Sequence, residues 1–154
     1  MIMLEDCEVM TGYNRIFLDT TPLIYFLDSD INFGEKTKLI LEEVISEGKE
    51  IFTSAITCME YMVYPYRTGN QDKIDAFFEF TGDCGIPIKA IDVEIARVAA
   101  AIRAEYKDFK AMDSIQLAVA MQSGCDLFLT NDNQLRRFKQ LRCVTVEEWE
   151  LKHK

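Results

Sequence analysis

The stretch Arg15-Ile16-Phe17-Leu18-Asp19-Thr20-Thr21-Pro22-Leu23-Ile24 carries the sharpest local signals in the chain. Ile16, Phe17 and Leu18 form a short apolar run that stops at an acid, as a strand covered on both faces does. Thr21 then offers an N-cap, and Pro22 fits the first helical position. A helix is therefore expected through Leu23, Ile24, Phe26 and Leu27. Strand, turn and helix in ten residues is the opening of an α/β unit.

The same alternation continues outward. Residues 34–47 read as a helix with Leu39, Ile40, Val44 and Ile45 on one face, Glu42, Glu43 and Glu47 pointing away, and Gly48 as the stop. Residues 50–54 form the next strand. A helix over 56–64 is expected to break at Pro65, and another runs over 71–80. A short strand at 86–91 precedes a long Ala-rich helix from Asp92 to about Tyr106. A helix over 113–123, a strand at 126–130, a basic helix and a last strand at 143–146 complete the pattern. Short apolar strands alternating with helices define an α/β fold whose parallel sheet is covered on both faces.

At 154 residues the chain has the length of one domain, with residues 1–14 as a polar lead-in. Its 49% hydrophobic and 28% charged residues are globular composition. No apolar run approaches the length of a membrane span, and the first residues lack a basic-then-apolar leader. Cys7, Cys58, Cys84, Cys125 and Cys143 form no C-x-x-C pair, so free thiols in a reducing cytoplasm are expected. The lone His153 excludes a histidine triad or a His-ligated zinc site.

The formal charge is −9, which argues against a protein that coats nucleic acid. The acids are concentrated: residues 1–60 hold twelve against four bases, and the rest hold fourteen against thirteen. Two acids stand where an α/β sheet builds its ligand site, beyond the carboxyl ends of the strands, and two helix-borne acids could converge with them at one cleft. Asp19 follows the first strand, and with Thr21 as the cap it is free for another role. Asp132 follows the strand at 126–130, and either it or its neighbours Asn131 and Asn133 could cap the next helix. Glu60 falls in register with Ile56, Met59 and Val63, which places a carboxylate on the core-facing stripe. Asp113 with Gln116 fits a capping box, and alone that local role would suffice. Carboxylates sharing one cleft repel unless a divalent ion neutralises them, and all-oxygen donors suit Mg²⁺ or Mn²⁺. A metal-activated water is then the expected nucleophile.

With these residues in order, the chain resembles the PIN-domain nucleases, which include the VapC-type toxins. The resemblance is carried by residues 17–24, by Thr53-Ser54-Ala55-Ile56-Thr57-Cys58-Met59-Glu60-Tyr61, by Lys110-Ala111-Met112-Asp113-Ser114-Ile115-Gln116-Leu117-Ala118 and by Phe128-Leu129-Thr130-Asn131-Asp132. It implies a three-layer α/β/α fold with a central parallel sheet of four to five strands. It also implies a catalytic metal site of Asp19, Glu60, Asp113 and Asp132, with Thr20, Thr130 and Asn131 in support. The implied activity is Mg²⁺- or Mn²⁺-dependent endoribonuclease cleavage leaving a 5′-phosphate, by a homodimeric toxin held by a cognate antitoxin. A free-standing RNA-processing nuclease and a non-cutting binding module are the other readings. Arg136, Arg137 and Lys139 make up the one concentrated basic patch and are candidate RNA contacts. An aspartyl phosphatase is disfavoured, because Thr21 stands where that chemistry wants a second acid.

Overall fold

The computed structural model describes residues 12–152. Most of the expected lead-in, together with Cys7 and His153, lies outside the described residues. Five strands form one parallel sheet: β1 (Arg15–Leu18), β2 (Glu50–Ser54), β3 (Ile88–Lys89), β4 (Leu127–Thr130) and β5 (Arg142–Thr145). The strand order is β3-β2-β1-β4-β5, so the chain builds outward from β1 in one direction and then in the other. Six helices flank the sheet: α1 (Thr20–Leu27), α2 (Gly34–Ser46), α3 (Ala55–Thr68), α4 (Gln71–Asp83), α5 (Val93–Glu105) and α6 (Ala111–Gln122). A 3₁₀ turn at Asn133–Arg137 joins β4 to β5. This is the three-layer α/β/α arrangement.

The period of two along each strand sorts side chains between two cores. Ile16, Leu18, Leu127, Leu129 and Val144 point to one face, where Leu23, Ile40, Val44, Tyr61 and Phe77 cover them from α1 to α4. Phe17, Phe52 and Phe128 point to the other face, under Ile95, Ala99 and Ile102 of α5 and Leu117 and Val119 of α6. Phe17 pairs in register with both Phe52 and Phe128, and its ring stacks on Phe128 at 5.1 Å. Burying each ring contributes about 1.5–3 kcal/mol. The central strand is thus clamped from both sides, which fixes where it ends.

Local details depart from the sequence reading in ways that matter. Helix α1 starts at Thr20, with Asp19 as its N-cap and Pro22 inside the first turn. Asp19 therefore does cap, and Thr21 does not. Pro65 lies within α3 instead of ending it, because the last turn still closes onto Gly69, whose φ of 65° forms the C-cap. The strand at 86–91 shortens to Ile88–Lys89, and the basic helix is only the 3₁₀ turn. In α2 the buried face includes Glu43, while Ile45 is exposed. Glu43 accepts hydrogen bonds from Trp149 Nε1 (3.3 Å) and the Lys152 backbone N–H (2.7 Å), which tie the C-terminal segment down.

Cys58, Cys84, Cys125 and Cys143 are all free thiols. Burial pushes Cys125 and Cys143 up to about 12, so neither is a ready nucleophile. Among the described residues no helix is long and apolar enough to cross a membrane.

Candidate functional site

The direction of chain growth reverses between β1 and β4, and the carboxyl ends of these two strands open onto one cleft. Open parallel sheets bind ligands at such a switch point. Asp19, Glu60, Asp113, Thr130, Asn131 and Asp132 all line this cleft, whose volume is about 720 Å³. Thr21, Lys110 and Gln134 complete its walls.

Asp19 is set by the register of β1 on β4. Its backbone N–H donates to the Leu129 carbonyl at 3.0 Å, continuing the ladder one step past the strand. Its Oδ1 accepts from Thr20 N–H at 2.8 Å, and its Oδ2 accepts from the Thr130 hydroxyl at 2.8 Å. Gln116 Nε2 reaches Oδ1 at 3.3 Å. The residue is 8% exposed. Burial pushes its carboxyl up to about 6, the Thr130 and Thr20 hydrogen bonds oppose that shift, and the Asp113 charge adds to it. Desolvation therefore outweighs the three donors that favour the ionised form.

Asp113 sits in the first turn of α6, two residues after its start, and Lys110 occupies the N-cap without a side-chain cap bond. The capping-box reading fails for that reason: the helix begins upstream of Asp113. Burial raises the Asp113 carboxyl, Asp132 and Glu60 raise it further, and Lys110 pulls it back. Asp132 caps the 3₁₀ turn through Gln134 N–H at 2.9 Å, and its own N–H donates to Thr130 Oγ1 at 3.1 Å. The local role and the place in the cleft coexist. Asn131 stands beside Tyr25, whose hydroxyl it hydrogen-bonds.

Glu60 reaches the cleft by a different route from the expected one. The core face of α3 is Thr57, Tyr61, Met62 and Pro65, while Met59 and Val63 are exposed at 46% and 39%. Glu60 thus lies beside the stripe, on the open side. Its Oε1 accepts from the Thr20 hydroxyl at 2.7 Å, so Thr20 holds it over the site.

The basic patch does not form the cleft wall. Arg136 pairs with Glu148 at 2.9 Å, and Arg137 pairs with Asp108 at 2.5 Å while covering Phe109. Lys139 is exposed, away from the lining residues. The cation that does line the cleft is Lys110, which sequence reasoning passed over. It also missed Gln116, buried at 1% beneath Asp19. Its signal was there: one amide inside the apolar run Ile115-Gln116-Leu117-Ala118-Val119-Ala120.

The donors are four carboxylates from four separate parts of the chain, with hydroxyls behind them and no thiol or imidazole in the lining. That set suits a hard divalent cation and does not suit zinc. The raised Asp19 and Asp113 carboxyls mark the negative charge such an ion would offset. As they stand the carboxylates flank the cleft without closing on one point: among the described residues no three Asp, Glu, His or Cys side chains form a group that could hold an ion.

The family model for the PIN domain matches residues 16–141. The chain belongs to the PIN domain family. No curated protein gives a significant sequence match. Among solved structures, the fold is similar to a chain in VapBC2 from Rickettsia felis bound to promoter DNA, at 16% identity and TM-score 0.68, covering 85% of this chain and 98% of that one. It is similar to a chain of FitAcB from Neisseria gonorrhoeae at 23% identity and TM-score 0.68, covering 87% and 99%. The VapC20 toxin of Mycobacterium tuberculosis, described as cleaving the sarcin–ricin loop, matches at 15% identity and TM-score 0.60, covering 82% and 98%. At these identities the likeness is one of fold.

Proposed function

We propose that the protein is a divalent-metal-dependent endoribonuclease and the toxin of a toxin–antitoxin pair of the VapC type. The observation that supports this reading best is the convergence of Asp19, Glu60, Asp113 and Asp132 on one cleft at the sheet's switch point. Asp19, Asp113 and Asp132 would hold Mg²⁺ or Mn²⁺, with Glu60 beside them. When bound, such an ion lowers the pKa of water and offsets charge on a phosphodiester. Glu60, held by Thr20, is the base placed to take the water's proton, and its exposed side lets RNA approach. Thr130 fixes Asp19, and Lys110 gives the phosphate a counter-charge in a cleft otherwise lined by acids.

Two of the named neighbours, VapBC2 and FitAcB, come from toxin–antitoxin complexes, which favours a cognate antitoxin here. The exposed acids Glu35 and Glu42 of α2 offer a surface for a basic antitoxin segment. Assembly as a homodimer is the accompanying expectation, read by sedimentation. The function is tested by incubating a mixed RNA substrate with Mg²⁺ or Mn²⁺, with and without chelator. Cleavage that needs the ion and leaves 5′-phosphate ends supports the reading; robust cutting in chelator overturns it.

A further inference from the structure

Behind the cleft lies a buried polar chain whose hydrogen-bond directions can be worked out one by one. Ser54 Oγ accepts from the Ile56 backbone N–H at 3.1 Å, so its single proton is free for Gln116 Oε1, to which it donates. That fixes the Gln116 amide: its oxygen faces Ser54, and its two N–H groups face the site. One reaches Thr57 Oγ1 at 2.7 Å, and the other points to Asp19 Oδ1 at 3.3 Å. The Thr20 proton goes to Glu60 Oε1 at 2.7 Å, so across the 3.2 Å contact between Thr20 and Thr57 the proton comes from Thr57. The sequence runs from Ile56 N–H through Ser54 to the Gln116 amide, and from there it divides. One arm ends on Asp19, and the other passes through Thr57 and Thr20 to Glu60. Every dipole points toward a carboxylate. Ser54, Thr57 and Gln116 are 0%, 0% and 1% exposed, so the chain of hydrogen bonds lies out of reach of bulk solvent.

We infer that Gln116 is a positioning residue that orients Asp19 and Glu60 together, the second through Thr57 and Thr20. The inference deepens the nuclease reading above and rests on it for its kinetic consequences. Glu60 is exposed and would otherwise sample several rotamers; the Thr20 hydroxyl selects one of them, and Thr20 Oγ1 is itself oriented by Thr57 at 3.2 Å and by Gln116 Nε2 at 3.5 Å. At Asp19 the amide N–H adds a second donor on Oδ1, beside the Thr20 N–H, and so helps fix the plane of the carboxylate.

The test uses Gln116→Leu, Gln116→Glu, Thr57→Val and Thr57→Ser in the full chain, each checked by circular dichroism and thermal unfolding. In the metal-free protein, the ¹³C carboxyl resonance of Glu60 should move in Gln116→Leu and Thr57→Val, though neither residue touches Glu60. Thr57→Ser, which keeps the hydroxyl, should restore it. The Asp19 resonance should move in both Gln116 variants and stay in place in Thr57→Val. With ion and RNA, Thr57→Val should lose about 10- to 100-fold in kcat with KM unchanged, and Thr57→Ser should recover most of it. If Gln116→Leu fails to fold, the Thr57 pair still decides the Glu60 arm. An unmoved Glu60 resonance in folded Thr57→Val overturns the inference even if the protein cuts RNA. A moved resonance in a protein that cuts no RNA upholds the arrangement while the nuclease reading fails.

Discussion

Asp19 and Glu43 are equally buried carboxylates, each 8% exposed, yet the fold treats them differently. Both oxygens of Glu43 are taken by N–H donors of one short segment, from Trp149 and Lys152, and the outcome is a docked C-terminus. Asp19 has donors from Thr20, Thr130 and Gln116 but also looks across a cleft at Asp113, and its carboxyl is pushed up to about 6. Burial of an acid therefore says little about its role. What separates these two carboxylates is that other acids share the opening of Asp19 to solvent.

The contrast predicts opposite responses to substitution. Asp19→Asn should reduce RNA cleavage by at least about 100-fold, the upper end of what losing even an outer hydrogen-bond partner of a metal site costs. Glu43→Gln should leave cleavage unchanged, as measured by initial rates on the same RNA. Glu43→Ala should lower unfolding stability by about 2 kcal/mol in urea titrations, since Trp149 Nε1 and Lys152 N–H lose a charged acceptor.

The pairing of these two residues also shows what a sequence reveals and what it hides. Asp19 and Asp132 were legible because strand ends are marked by where apolar runs stop, and the fold follows from the order of those runs. Helical spacing points Glu43 to solvent, because the donors that bury it arrive from residues more than a hundred positions away. Glu60 was placed on a core stripe of Met59 and Val63, while the real core face of α3 contains Thr57. A buried threonine looks polar in sequence, and only the partner, Gln116, makes its burial tolerable. Asp113 and Gln116 fit a capping box in sequence, yet in the fold Asp113 lines the cleft and Gln116 hydrogen-bonds Asp19 from behind it. Periodicity reports apolar faces; it does not report polar groups that satisfy one another across the fold.

Two smaller effects follow. Folded Asp19 holds its proton up to about pH 6, whereas an unfolded carboxyl holds it only to about 3.8. Between those values the folded metal-free protein binds more protons, so Asp19 makes it more stable as pH falls from about 6 to about 4. The change, about 2 kcal/mol over that window, should vanish in Asp19→Asn when thermal unfolding is followed against pH. Finally, neutralising Arg136 and Arg137 together should change RNA affinity less than Lys110→Gln does. Both arginines are committed to Glu148 and Asp108, while Lys110 lines the cleft. Binding measured over a series of salt concentrations separates the two, and a larger loss from the arginine pair would move the RNA path to the 3₁₀ turn.

The most direct measurement is Mn²⁺ binding by calorimetry to the wild type, Asp19→Asn, Asp113→Asn and Glu43→Gln at neutral pH. Binding to wild type and Glu43→Gln, lost in Asp19→Asn and Asp113→Asn, is the result that a shared carboxylate site requires. Equal Mn²⁺ affinity in all four proteins, or none in the wild type, would contradict it.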